Sequence, residues 1–195
     1  MNLPNKLTLS RIIMVPVFAV FAALAVKSRG NLMYLAAGIV FALASLTDMF
    51  DGKIARKYNL VTNFGKFADP LADKLLTTAA FLYMQQEGVC DPAVLILILA
   101  REFAVSGLRM IAAGSPGGAV IAANMWGKVK TALQMVAIAA FYFGCALWPE
   151  SALLRTCASV LCWLCAAATL ISGWTYFAAS GHLLLETKSG RHSKV

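Results

Sequence analysis

The sequence predicts an all-α fold, a six-transmembrane-helix polytopic membrane protein that forms a single domain over residues 1–195. The 195 residues are 60% hydrophobic and only 13% charged, and their mean hydropathy is +0.73. The core of a soluble domain of this length does not need so large an apolar fraction. Six apolar segments each approach the roughly 20 residues with which a helix crosses about 30 Å of hydrocarbon. These segments are residues 7–26, 32–47, 68–84, 93–111, 131–148 and 153–177.

The distribution of basic residues predicts the orientation of these helices. The formal net charge is +8, and in a membrane protein an excess of Lys and Arg marks cytoplasmic loops before it indicates a nucleic-acid partner. If the N-terminus is cytoplasmic, Lys27, Arg29 and Arg155 fall outside, and the other fourteen basic residues lie inside, at the inner boundary or, for Arg101, within a span. We therefore expect both termini and the basic tail at 188–195 to be cytoplasmic, and no nucleic acid to bind.

Two cytoplasmic connections differ from the short outer ones. The first, between the second and third spans, contains DMFDGKIARKYNLVTNFGKFADPLADK, from Asp48 to Lys74. The second, between the fourth and fifth spans, is GSPGGAVIAANMWGKVK, which ends in Lys128 and Lys130. Since Gly and Pro interrupt helices, we expect an irregular or re-entrant segment there, at the inner interface.

Four of the five aspartates of the chain lie in the first of these connections. If the flanking helices continue into it, a rotation of about 100° per residue places acidic and small side chains on one face of each helix. The second helix then carries Asp48, Asp51, Gly52 and Ala55, and the third carries Gly65, Asp69 and Asp73. The eight-residue turn KYNLVTNF brings the two acidic faces together at the cytoplasmic end.

Four facing carboxylates near hydrocarbon predict a metal site. They repel one another and lose hydration, which costs several kcal/mol unless a cation compensates them. Carboxylates without Cys or His select a hard ion, Mg²⁺ or Mn²⁺, and two helices with two carboxylates each can hold two ions. Paired hard ions are suited to phosphoryl transfer, and the small residues leave room for a diphosphate. The alternative, solvated charges paired with nearby Lys and Arg, is less favoured because those basic residues mostly lie off the acidic faces.

The acidic segment fits DxxDGxxAR, eight further residues and GxxxDxxxD without departure. This pattern resembles the signature of the CDP-alcohol phosphotransferases, six-helix membrane enzymes that are usually homodimers. LPNKLTLSR, DPLADK and REFAVSGLR resemble the bacterial members that use sn-glycerol 3-phosphate as acceptor, and the resemblance covers essentially the whole chain. It implies transfer of a phosphatidyl group from CDP-diacylglycerol to that acceptor with release of CMP, at the cytoplasmic face of the bacterial inner membrane.

The resemblance also implies roles for individual residues. The metal ligands are Asp48, Asp51, Asp69 and Asp73. Asp73 is in addition the general base that takes the proton of the acceptor hydroxyl. The cytidine diphosphate portion of the donor lies against Gly52, Ala55, Arg56 and Gly65, with Asn5 and Thr8 of the first helix near it.

An acceptor that carries its own phosphate needs a second, cationic pocket, because the metal ions are committed to the diphosphate. The candidates are Arg11, Arg101, Arg109, Lys128 and Lys130. Arg101 and Arg109 share one face of the fourth helix, about 12 Å apart along its axis. Alternatively, Arg101 pairs with Glu102 or another acid, and the remaining cations follow the positive-inside bias.

Three other functions stay open on the sequence alone. A family member with serine, inositol phosphate or an amino alcohol as acceptor would keep every aspartate. An intramembrane prenyltransferase also binds a diphosphate through Mg²⁺ and aspartates, although such chains have more spans and lack the glycine and Ala-Arg spacing. A cation carrier or channel is disfavoured because the acids cluster at one membrane face and not along a path.

Overall fold

The computed structural model describes the backbone of residues 3–57, 63–114 and 125–180, and within them the side chains of residues 9–47, 71–72, 74–112 and 125–179. These residues form six α-helices and no strand, which confirms the predicted all-α class for this part of the chain. The helices are α1 (Leu3–Ser28), α2 (Asn31–Lys57), α3 (Asn63–Gln86), α4 (Pro92–Gly114), α5 (Met125–Leu147) and α6 (Ala152–Ser180).

Several of these helices are suited to a lipid environment. Within the described residues, three stretches are long and apolar enough to cross a membrane, and a fourth apolar helix is shorter. The three are Leu9–Ser28, Met125–Leu147 and Ala152–Ala179, and the shorter one is Asn31–Thr47. Many large apolar side chains point outward, for example Val20, Leu32 and Ile96, each more than half exposed. The protein is therefore a multi-pass membrane protein, and six crossings stay a prediction.

The helices pack through small and aromatic side chains. The contacts run from α1 to α2 and α3, from α2 to α5, from α5 to α6 and from α6 to α4. Alanines fill the closest approaches, as expected where helices associate in a membrane. The fully buried ones include Ala22, Ala37, Ala44 and Ala80. Between them, Phe18 of α1 meets the rings of Phe41 at 6.0 Å and Tyr142 at 5.4 Å, which joins α1, α2 and α5.

The turn from α3 to α4 follows from local sequence. Gly88 adopts a positive φ of 73°, and its N–H donates to the Gln85 carbonyl at 2.9 Å, so a residue without a Cβ ends α3. Asp91 then caps α4, since its carboxylate accepts a hydrogen bond from the Ala93 N–H at 2.7 Å. Pro92 occupies the first helical position, where its missing N–H costs nothing.

A buried network, which we call the outer network, lies at the end of the bundle opposite the acidic segment. Glu87 accepts a hydrogen bond from Tyr34 Oη at 2.7 Å and pairs with Arg155 Nη2 at 2.8 Å. Arg155 Nη1 also donates to the Glu87 carbonyl at 3.1 Å. The Glu87 side chain is only 2% exposed. The network ties α2 and α6 to the connection between α3 and α4.

The helices extend into the acidic segment as the sequence predicts. Helix α2 is continuous to Lys57 and so includes Asp48 and Asp51, and α3 begins at Asn63 and so includes Asp69 and Asp73. The side chains of these four aspartates, and residues 58–62 between the helices, lie outside the described residues.

One prediction about the second cytoplasmic connection is wrong in part. Helix α5 begins at Met125, so Gly127, Lys128 and Lys130 are helical, whereas the sequence predicted an irregular segment up to Lys130. A single glycine lowers helix stability by only about 1 kcal/mol, and tertiary packing overrides it. At Gly127 the packing is visible, because a Cβ there would lie 3.6 Å from the Tyr176 ring of α6. Residues 115–124 lie outside the described residues.

Candidate active site

A cavity of about 900 Å³ lies between α2, α3, α4, α5 and α6. Four of the five cations predicted to bind the acceptor line it, namely Arg101, Arg109, Lys128 and Lys130. The predicted pocket residues therefore converge from α4 and α5 on one space. Their role in binding stays a prediction.

One carboxylate compensates two of these cations. Glu102 forms an ion pair with Lys130 Nζ, and Arg101 Nη1 lies 3.2 Å from the same Glu102 oxygen. The three side chains are largely buried, with 11%, 17% and 6% of the side chain exposed for Arg101, Glu102 and Lys130. The alternative that Arg101 pairs with Glu102 is thus realised in the structure, although Arg101 also faces the cavity.

Arg109 is in a different electrostatic environment. Its Nη2 donates a hydrogen bond to Tyr176 Oη at 2.7 Å, and its guanidinium carbon lies 5.2 Å from the centroid of the Tyr176 ring. Arg109 therefore contacts the hydroxyl and the ring of a tyrosine, and not a described carboxylate. Among the described side chains no carboxylate pairs with Arg109 or with Lys128, which is exposed at the cavity wall. These two cations are available to an anion without breaking an ion pair.

Two buried nitrogen donors in the cavity wall also lack an acceptor among the described residues. Arg101 Nε and Gln134 Nε2 are shielded from solvent, and no hydrogen bond to either is found within the described part of the chain. An unsatisfied buried donor costs about 1–3 kcal/mol. Both residues line the cavity, so a ligand with anionic oxygens would satisfy them.

The cavity adjoins the helical segments that carry the aspartates. Ser45 and Leu46 of α2 line it two and three residues before Asp48. Lys74 of α3, directly after Asp73, lines it as well, and Lys74 Nζ donates to Ser106 Oγ of α4. The described cavity wall therefore reaches the helical segments that carry the aspartates.

The structure does not bring the other predicted binding residues to the described cavity wall. Arg11 is buried in α1, with 1% exposed, and is not among the described residues of the cavity wall. The predicted donor-binding residues lie on helical backbone, and their side chains fall outside the described residues. They are Asn5 and Thr8 of α1, Gly52, Ala55 and Arg56 of α2, and Gly65 of α3.

Sequence reasoning missed the contribution of α6. Ser172 Oγ accepts a hydrogen bond from Arg101 Nη2 at 2.6 Å, and Tyr176 binds Arg109 as described above. The two residues are four apart, on one face of a largely apolar helix. This spacing of polar residues was the available signal, but which helix they face cannot be read from it.

The fold and the site define a class, a helical multi-pass membrane protein that encloses a cation-lined cavity beside an acidic helical segment. The family model described as CDP-alcohol phosphatidyltransferase matches residues 1–179. The chain belongs to the CDP-alcohol phosphatidyltransferase family.

Curated relatives match over nearly the whole chain. The CDP-diacylglycerol–glycerol-3-phosphate 3-phosphatidyltransferase of Bacillus subtilis is 43% identical over 192 residues, which cover 94% of this chain and 97% of that protein. The protein of the same name from Rickettsia felis is 41% identical over 178 residues, covering 91% and 94%. A probable phosphatidylglycerophosphate synthase of Mycobacterium tuberculosis is 39% identical over 179 residues, covering 91% and 80%.

Proposed function

We propose that this protein is a CDP-diacylglycerol–glycerol-3-phosphate 3-phosphatidyltransferase, which converts CDP-diacylglycerol and sn-glycerol 3-phosphate to phosphatidylglycerophosphate and CMP. The relatives that carry this name are about 40% identical over almost their full lengths. The observation that carries the choice of acceptor is the convergence of four cations on one cavity beside the aspartate-bearing helices.

The charge of the cavity favours a phosphorylated acceptor. Its described wall contains five cations and one carboxylate, namely Lys74, Arg101, Arg109, Lys128 and Lys130 with Glu102. A phosphate group forms strong charge-assisted hydrogen bonds with guanidinium and ammonium groups. The ammonium group of an amino alcohol or of serine would be repelled by the same cations. We assign the phosphate first to Arg109 and Lys128, because neither has to leave a described carboxylate to bind it.

The aspartates fit a hard divalent cation. Asp48 and Asp51 lie one turn apart on α2, as do Asp69 and Asp73 on α3, and this all-carboxylate set suits Mg²⁺ or Mn²⁺, with two ions held between the helices. When bound, such ions neutralise the diphosphate oxygens and the departing phosphate of CMP. The family is generally dependent on divalent metals.

The chain's own groups perform the proton transfer and the orientation. The acceptor hydroxyl oxygen forms a bond to the phosphorus that bears the lipid, the bond from that phosphorus to the CMP oxygen breaks, and the hydroxyl proton passes to Asp73. Gly52, Ala55, Arg56 and Gly65, with Asn5 and Thr8, accommodate the cytidine diphosphate. Arg101 and Lys130 complete the acceptor pocket beside Arg109 and Lys128, and Arg11 lies further away in α1.

The proposed setting is the bacterial inner membrane. Six crossings with both termini in the cytoplasm place the acidic segments of α2 and α3 at the cytoplasmic face, where glycerol 3-phosphate is available. The acyl chains of the donor then stay in the bilayer while its headgroup reaches the aspartates. Residues 1–195 act as one domain, and two chains form a homodimer.

An acceptor assay tests the function. The purified protein is supplied with labelled CDP-diacylglycerol and, separately, with glycerol 3-phosphate, serine, inositol phosphate and an amino alcohol, and CMP and lipid products are measured. We expect product with glycerol 3-phosphate, and none from Asp73→Asn. Activity with serine but not with glycerol 3-phosphate would overturn the proposed acceptor. Cation flux in liposomes without CMP release would instead indicate a carrier.

A further inference from the structure

Tyr176 lies in the cavity wall and contacts both arginines of α4. Its ring centroid lies 5.3 Å from the guanidinium carbon of Arg101 and 5.2 Å from that of Arg109, within the range of cation–π attraction. Its hydroxyl accepts the hydrogen bond from Arg109 Nη2 at 2.7 Å. The residue is 4% exposed. One buried side chain of α6 therefore binds two cations of the predicted acceptor pocket.

The two arginines need such a contact in order to meet. They are eight residues apart on α4, so their Cα atoms are separated by about 12 Å along the helix axis. Arg101 is held further by Ser172, one turn before Tyr176, whose hydroxyl accepts its Nη2 hydrogen bond at 2.6 Å. Helix α6 thus draws both guanidinium groups to one part of the cavity.

Two glycines lie beside this arrangement. A Cβ at Gly127 of α5 would lie 3.6 Å from both the ring and the hydroxyl of Tyr176, an ordinary van der Waals distance, so this position of α5 neighbours the ring. A Cβ at Gly173 of α6 would lie 3.1 Å from Arg101 Cγ, so the α6 backbone approaches the Arg101 stem closely. The Tyr176 ring consequently lies between α5 and the two arginines.

We propose that Tyr176 is a positioning residue that sets the affinity for the acceptor phosphate by holding Arg101 and Arg109 together before the acceptor arrives. This inference rests on the proposed function, because it takes the ligand of the cavity to be a phosphate monoester. Long side chains that become ordered only when the ligand binds lose conformational entropy, and this loss weakens the binding affinity. A ring that already orders two guanidinium groups removes that cost. Tyr176 need not touch the reacting atoms.

Two substitutions separate the hydroxyl from the ring. Tyr176→Phe removes the hydroxyl that accepts from Arg109 and keeps the ring, and we expect the KM for glycerol 3-phosphate to rise about fivefold. Tyr176→Leu also removes the cation–π contacts, and we expect a rise of about thirtyfold. Because the chemical step is untouched, kcat and the KM for CDP-diacylglycerol should change by less than about twofold in both variants.

Tyr142→Phe is the matched control. Tyr142 is also a buried tyrosine, 1% exposed, but its hydroxyl donates to the Ala80 carbonyl at 3.4 Å in the helix core and does not line the cavity. The Tyr142→Phe variant loses a buried hydroxyl, as Tyr176→Phe does. Its KM for glycerol 3-phosphate should equal that of the unaltered protein.

A binding measurement complements the kinetics. Calorimetric titration of glycerol 3-phosphate into the full-length protein in detergent should give an affinity that falls from the unaltered protein to Tyr176→Phe and then to Tyr176→Leu. Glycerol, which lacks the phosphate, is the control ligand. If the Tyr176 variants raise KM no more than Tyr142→Phe, or lower kcat alone, the positioning role is wrong. If the unaltered protein makes no product from glycerol 3-phosphate, the proposed function fails and the inference fails with it.

Discussion

Arg109 and Lys130 line the same cavity, but replacing each with alanine should impair different properties. Arg109 is bound to a neutral tyrosine, whereas Lys130 is ion-paired with the largely buried Glu102. Removing Arg109 takes away a phosphate ligand and leaves no buried charge uncompensated. Removing Lys130 leaves Glu102, 17% exposed, with Arg101 at 3.2 Å as its remaining ion-pair partner.

The expected magnitudes follow from these environments. A hydrogen bond to a charged group contributes about 1.5–3 kcal/mol, so Arg109→Ala should raise the KM for glycerol 3-phosphate by about 10-fold to 150-fold. Its thermal midpoint should stay close to that of the unaltered protein. Breaking a buried ion pair costs about 3–5 kcal/mol, and Lys130→Ala should lie near the lower end because Arg101 still compensates Glu102.

The assay combines steady-state kinetics with thermal unfolding of the purified protein in detergent. Lys130→Ala should lower the unfolding midpoint, and the double variant Lys130→Ala with Glu102→Ala should recover part of that loss, because the unpaired carboxylate is gone. The reasoning is refuted if Arg109→Ala unfolds as readily as Lys130→Ala, or if the double variant is less stable than the single one. An unchanged KM in Arg109→Ala would show that the acceptor phosphate binds elsewhere.

Two further predictions concern the ends of the bundle. In the outer network, Arg155→Ala should destabilise the protein by about 3 kcal/mol, because it removes the ion-pair partner of the Glu87 carboxylate, which is 2% exposed. Both KM values should stay unchanged in the same kinetic assay, and an altered acceptor KM would contradict the separation of the two ends. At the acidic segment, a chelator should abolish CMP release, and added Mg²⁺ or Mn²⁺ should restore CMP release in the unaltered protein but not in the Asp69→Asn variant. Full activity in excess chelator would rule out the metal site.

Much of the helical architecture could be predicted because it depends on short-range pattern. The lengths of the apolar runs predict the helices, and the four-residue spacing of Asp69 and Asp73 predicts that α3 extends through them, as it does. The convergence of Arg101 and Arg109 with Lys128 and Lys130 could be proposed because the predicted topology brings the end of the fourth span and the start of the fifth to the same membrane face. The pairing of Arg101 with Glu102 was one of two interpretations, whereas the partners of Arg109 and Lys130 could not be predicted.

The missing information concerns how the helices are rotated against one another. Sequence spacing places Ser172 and Tyr176 on one face of α6, but only the packing of α6 against α4 turns that face toward the arginines. The start of α5 was misplaced for a related reason. Gly127 alone favours a helix break, whereas in the bundle α5 packs beside Tyr176 of α6, and this packing outweighs the low helix propensity of glycine. Both are tertiary effects that no local pattern encodes.

The dependence of α4 on α6 has a consequence for biosynthesis. Within the described residues, the hydroxyl groups that bind Arg101 and Arg109 belong to α6, and the lysine that pairs with Glu102 belongs to α5. Arg101, Glu102 and Arg109 of α4 leave the ribosome before these partners from α5 and α6 do, although Arg101 and Glu102 can already pair with each other. A single charge at the centre of an inserting helix costs about 2.5–3.5 kcal/mol, so α4, if it crosses the bilayer as the sequence predicts, is disfavoured as an isolated span. We expect α4 to become stable in the bilayer only when α5 and α6 pack against it.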